Sequence, residues 1–201
     1  MLRLVTRSTL LSLLLVLFIT GSASAATANV SMTENVFTPQ VVTVKIGDSV
    51  TWTNNGTIDH TSTGDAPLSR WDSGTVGVGG SFTFAFTAGG KYAYHCIFHQ
   101  SLGMVGKVSV KILASPPSGP VGTQFTITVA TVNAPLPFHY DIMKKDPGGR
   151  FKPLFSIRTT SFVFDSTGQP TGKYQFISRL RNADTMAASD WSVARTITVT
   201  P

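Results

Sequence analysis

Beyond its first two dozen residues the chain never repeats apolar side chains at the 3.6-residue period of a helix. Short runs in which β-branched or aromatic residues alternate with polar ones recur instead. In the first half these are Val41 to Ile46, Ser49 to Thr53, Ser81 to Phe86, Lys91 to His95 and Gly106 to Ile112. In the second half they are Gln124 to Val132, Phe138 to Lys144, Ser161 to Phe164, Lys173 to Arg181 and Val193 to Thr200. Gly, Asn, Asp and the turn Asp146-Pro147-Gly148-Gly149 punctuate them. A period of two throughout predicts an all-β chain built of antiparallel sandwiches or barrels.

The segment Ala114-Ser115-Pro116-Pro117-Ser118-Gly119-Pro120 lies between the two sets of runs. Proline lacks the amide donor of a ladder and restricts the residue before it, so the segment is expected to interrupt the strands. This predicts two domains, 26–113 and 123–201, joined by a proline-rich linker at 114–122 that is stiffer than a Gly/Ser tether.

At the N-terminus Arg3 and Arg7 precede the apolar run Leu10 to Phe18, and small residues follow, ending in Ala23-Ser24-Ala25. The run is far shorter than the roughly 20 residues a spanning helix needs, and the pattern is that of a cleavable export signal over residues 1–25. The mature chain is therefore expected to begin at Ala26, outside the cytoplasm, in a periplasm or the extracellular space, with no membrane span. An exported chain has the option of disulfides, yet this one has a single cysteine, Cys96. That lone thiol needs a functional explanation.

Charge narrows the partners. Residues 26–113 hold five Lys/Arg and five Asp/Glu, whereas residues 114–201 hold nine and five. The nine cations are spread through the second half without a dense run, so nucleic acid is not an expected partner.

Cys96 sits at the end of an aromatic strand, Tyr92-Ala93-Tyr94-His95-Cys96, and is followed by Ile97-Phe98-His99-Gln100-Ser101-Leu102-Gly103-Met104. A thiol, an imidazole and a thioether thus fall within nine residues. Singly, each has an ordinary role as a small buried hydrophobe, a surface or core histidine, or core filler. Together, as Cys-x2-His-x4-Met, they match three of the four ligands of a type 1 copper site, which takes two His and one Cys in a trigonal plane with a weak axial Met. His60, in the polar stretch after the strand Ser49 to Thr53, is the candidate for the second histidine, and the fold must bring it alongside. Zinc fits less well, because it has little use for a thioether. His95, next to Cys96 on the same strand, is expected on the opposite face and is read as structural.

The run Tyr94 to Val108 resembles the cupredoxins, plastocyanins most closely. The likeness extends back through Phe37-Thr38-Pro39, Gly47 to Asn54, His60, Asp72-Ser73-Gly74 and Phe84 to Tyr92. It implies a Greek-key cupredoxin sandwich or barrel holding one type 1 copper ion on His60, Cys96, His99 and Met104. It also implies outer-sphere transfer of single electrons between redox proteins, with a cytochrome or an oxidase as donor or acceptor. By the same resemblance His99 would reach the surface as the electron port inside an apolar patch of Phe98, Leu102 and Gly103. Many relatives have Asn directly after the first histidine, where it ties the ligand loops together. Thr61 stands there in this chain, so the tie must be made differently.

Residues 173–182 with Ser189-Asp190-Trp191-Ser192 look like the late strands of a fibronectin type III domain, an immunoglobulin-like sandwich. That half has one histidine, His139, and no cysteine, and it is expected to act as a spacer or to bind a partner protein or an envelope component. With four histidines in all the chain cannot build the trinuclear cluster of a multicopper oxidase, so an enzyme is not expected. The competing function with the same ligands is copper sequestration, delivery or sensing without electron transfer.

Overall fold

The computed structural model describes residues 25–201, so the proposed export signal lies, but for Ala25, outside the described residues. The first eight strands are β1 (Thr27–Thr33), β2 (Val36–Thr38), β3 (Val41–Lys45), β4 (Ser49–Asn54), β5 (Thr63–Gly64), β6 (Ser81–Ala85), β7 (Gly90–His95) and β8 (Val105–Lys111). They form two sheets, ordered β2-β1-β4-β6 and β3-β8-β7-β5. Two pairs, β1 with β4 and β3 with β8, are parallel and the others antiparallel.

Alternation decides which side chains face the space between these sheets. In β4 it turns Val50, Trp52 and Asn54 inward, and in β3 Val42 and Val44. In β7 it turns in Tyr92 and Tyr94, and the same register carries Cys96, the next residue but one, into the core. Trp52 is fully buried, with ring centroids of Tyr94 at 5.4 Å, Trp71 at 5.7 Å and Phe82 at 6.0 Å. Gly106 on β8 is fixed by this packing, since a Cβ there would stand 2.3 Å from the Tyr94 ring.

The remaining strands are β9 (Leu113–Ser115), β10 (Ser118–Pro120), β11 (Gln124–Thr128), β12 (Phe138–Lys145), β13 (Phe151–Ile157), β14 (Ser161–Asp165), β15 (Gly172–Asn182) and β16 (Arg195–Thr200). They make a five-stranded sheet, β10-β16-β15-β12-β13, and a three-stranded one, β14-β11-β9. A second core lies between them, built around Phe125, Ile127, Tyr140, Ile142, Tyr174, Phe176 and Ile197.

The structure corrects one expectation. The proline-containing segment does not interrupt the ladders: β9 pairs with β11 and β10 runs parallel to β16. The reason is positional. Pro116 and Pro117 fall in the gap between these two short strands, and Pro120 closes β10 at the sheet's edge, so only Pro120 falls within a strand.

The two sandwiches are also joined side by side. Gly89 donates its N–H to the Val129 carbonyl at 2.9 Å and Thr131 to that of Thr87 at 2.8 Å. Lys91 and Asp190 exchange backbone hydrogen bonds of 2.9 and 3.1 Å. Leu68 packs against both cores, and the Arg70 guanidinium lies 5.4 Å from the centre of the Phe138 ring.

Candidate metal centre

The loop after β7 is tied to itself by backbone hydrogen bonds. Cys96 N–H donates to the Met104 carbonyl (3.1 Å), His99 N–H to Cys96 (3.2 Å) and Met104 N–H to His99 (3.2 Å). Between them Gln100–Leu102 make one 3-10 turn, closed by Gly103 at φ +85°, a left-handed conformation that favours glycine. Nine residues therefore hold a thiol, an imidazole and a thioether on one tightly bonded loop.

His60 comes from the loop after β4. It exchanges backbone hydrogen bonds with Val76, and the loop is held from beneath by Asn54, which is fully buried. The Asn54 amide donates to the carbonyls of Ile58 (2.8 Å) and Val76 (2.9 Å), and its oxygen accepts from Gly56 N–H (3.0 Å). Sequence reasoning missed this residue. The available signal was its place in β4, two residues after Trp52 on the inward-facing register.

The fold brings His60 to the thiol. Cys96 Sγ lies 3.9 Å from His60 Nδ1 and 3.4 Å from His99 Nδ1, and one ligand atom of each residue lies within 4.8 Å of the others. Bonds of about 2.0 Å to nitrogen and 2.3 Å to sulfur at trigonal angles put nitrogen and sulfur about 3.7 Å apart, so these atoms can share one small cation. His60, Cys96 and Met104 are fully buried, whereas His99 is half-buried. Burial, and then the nearby His99, lower the pKa of His60, which keeps its imidazole in the neutral, metal-binding form. Its Nδ1 is the nitrogen that faces the thiol, and its Nε2 is buried without a partner among the described residues.

The tie that many relatives make with Asn is made by Thr61. Its hydroxyl accepts the Ile97 N–H at 2.8 Å, and its own N–H donates to Cys96 Sγ at 3.3 Å. One residue thus clamps the His60 loop to the Cys96 loop and hydrogen-bonds the sulfur. His95 points away from the thiol, as β alternation requires, and its Nδ1 bonds the Asp65 carboxylate at 2.5 Å.

Three large apolar side chains of the loop that carries half-buried His99 are exposed. Ile97, Phe98 and Leu102 are 52%, 49% and 65% exposed.

Residues 24–111 match the profile of copper binding proteins of the plastocyanin/azurin family. The chain is 41% identical over 101 residues to the chloroplastic plastocyanin of Tetradesmus obliquus, a match that covers 44% of this chain and 70% of that protein. Against the plastocyanin of Scenedesmus fuscus identity is 33% over 85 residues, covering 38% and 87%. Among solved structures, a purple cupredoxin from Nitrosopumilus maritimus aligns at TM-score 0.39 and 24% identity over 42% of this chain and 99% of that one. A reduced amicyanin variant aligns at TM-score 0.39 and 29% identity over 45% and 86%. Two imidazole nitrogens and a thiol sulfur within 4.8 Å of one another are the donors that copper, rather than zinc or a hard cation, selects with a methionine in the same loop, and with the likeness in sequence they place the chain in the plastocyanin/azurin family of copper-binding proteins.

Proposed function

We propose that the chain is a one-electron carrier in which His60, His99, Cys96 and Met104 would together hold one copper ion. Bound copper supplies a Cu(I)/Cu(II) couple. The observation that carries this reading is the contrast in burial, with three of the four side chains sealed in the core and His99 alone at the surface. Buried ligands in a self-bonded loop resist rearrangement, which favours transfer of an electron over release of a metal. The exposed side chains Ile97, Phe98 and Leu102, in the same loop as His99, offer an apolar contact for a donor or acceptor protein such as a cytochrome or an oxidase. The thiolate accepts the Thr61 N–H, a bond that tunes its electron density.

Residues 1–25 act as an export signal in this reading, and the protein works in a periplasm or outside the cell. Residues 26–113 are the electron-carrying unit and residues 123–201 a fibronectin type III-like unit, with the strands of 114–122 pairing into the sheets of the second.

The test is a redox titration of the copper-loaded full chain, followed by mixing with a soluble cytochrome. Reversible one-electron cycling with the metal retained is expected. Loss of copper to a chelator on reduction, with no electron exchange, would instead make the protein a delivery or storage factor.

Thr61→Val keeps the side-chain shape but leaves the Ile97 N–H without its acceptor. Copper affinity is expected to fall about 10- to 100-fold, the usual cost of losing a bond that orients metal ligands. Competition with a chelator of known affinity measures this. An unchanged affinity would show that Thr61 is not the clamp.

A further inference from the structure

The outer face of the five-stranded sheet carries more positive charge than it neutralises. Ile142 on β12 and Leu180 on β15 point into the second core, so their neighbours Asp141, Met143, Arg179 and Arg181 point the other way. The Asp141 carboxylate accepts from Arg179 Nε at 3.0 Å, Arg181 Nε at 2.8 Å and Ser156 Oγ at 2.6 Å. Burial alone would raise the pKa of this carboxyl, but the hydrogen bonds from Arg181, Ser156 and Arg179 outweigh it and keep the group ionised. One carboxylate therefore serves two guanidinium ions, and among the described residues neither has another acidic partner.

The surplus charge is not freely solvated. The Arg181 and Arg179 side chains are 16% and 31% exposed, and Arg179 lies over the Trp191 ring at 4.6 Å. A partly dehydrated cation costs free energy that a structural role does not require, since a single arginine would neutralise Asp141. Each guanidinium meets the carboxylate through Nε, so among the described residues the outer NH2 groups, apart from a 3.6 Å contact of Arg181 Nη1 with Met186 Sδ, have no acceptor and are free to donate. They open into a groove of about 510 Å³, within the usual range for small-ligand sites, whose other walls include Met143, Pro153, Phe155, Met186 and Trp191.

We propose that this groove binds a small organic monoanion, a carboxylate with an aromatic or branched apolar body. The carboxylate meets the free edges of Arg179 and Arg181 in the paired geometry that guanidinium favours, and its single charge balances the one surplus cation. The apolar body lies between Phe155, Met186 and Trp191. This assignment is independent of the copper centre.

Calorimetric titration of the full chain with 3-phenylpropionate tests it. Saturable one-to-one binding is expected, with the uncharged 3-phenylpropanamide at least about tenfold weaker and Arg181→Gln reducing affinity by about tenfold or more. Arg181→Gln keeps Arg179 on Asp141, and Phe155→Ala at the exposed rim weakens binding without touching that carboxylate. Both variants should retain the wild-type absorption of the copper-loaded protein. No saturation, equal binding of the amide, or equal affinity in Arg181→Gln would overturn the proposal. Inorganic phosphate competing as strongly as the carboxylate would show a mere anion site. The peptide Gly-Gly-Phe binding far more tightly than the free acid would assign the groove to a protein terminus instead.

Discussion

Cys96→Ser is expected to abolish the intense visible absorption of the copper-loaded protein and with it reversible electron exchange, while the fold stands. The absorption of such centres arises from the copper–thiolate bond, and a serine oxygen cannot replace sulfur as a soft donor. The fold has little reason to fail, because the smaller hydroxyl still accepts the Thr61 N–H and the loop's backbone bonds do not involve the side chain. Visible absorption after copper loading, together with circular dichroism, measures both halves. A serine variant that stays blue would remove Cys96 from the ligand set and with it the reading of the whole site.

The largest expected loss of stability is at Trp52. Its ring is fully buried against Trp71, Phe82, Phe86 and Tyr94, so Trp52→Ala opens a cavity that no neighbour can fill. The expected cost is about 3–5 kcal/mol, a large share of the roughly 5–15 kcal/mol that holds a typical domain together. With two cores present, unfolding of the variant should separate into two steps, the first core melting early. Urea unfolding followed at the copper absorption and by far-ultraviolet circular dichroism resolves them. A midpoint shift of less than about 0.3 M at the copper signal would mean that the first core does not depend on this ring.

The strands that sequence reading found are those whose alternation is clean, such as β4 and β7, where every second residue is apolar and buried. β13 escaped because Pro153 breaks its run. The structure shows why the proline is tolerated: β13 is the outer strand of its sheet, and its register with β12 shifts beside Pro153, between Ile142 and Met143, so the proline sits at an edge and a bulge. β9 and β10 escaped for a related reason, since three residues each among prolines look like a linker until their partners β11 and β16 are known.

The same divide runs through the site. Cys96, His99 and Met104 were legible because they are close in sequence and share one loop. His60 was legible only as a candidate, because its distance to the thiol depends on two sandwiched sheets. Asn54 and Thr61 were not legible as supports, since polar residues before and within a loop look like turn formers and their partners lie up to 36 residues away.

The seam between the two sandwiches has a mechanical consequence. The second sandwich grips β7 at Lys91, whereas Cys96 leaves the opposite end of that strand, about 17 Å further along at the usual rise per residue. The copper end is thus carried like the head of a cantilever whose grip lies well back from the tip. Anything attached to the far side of the second sandwich, whether a label, a bead or an electrode linker, would leave the His99 face clear. Such attachment would orient every molecule alike, with its metal outward.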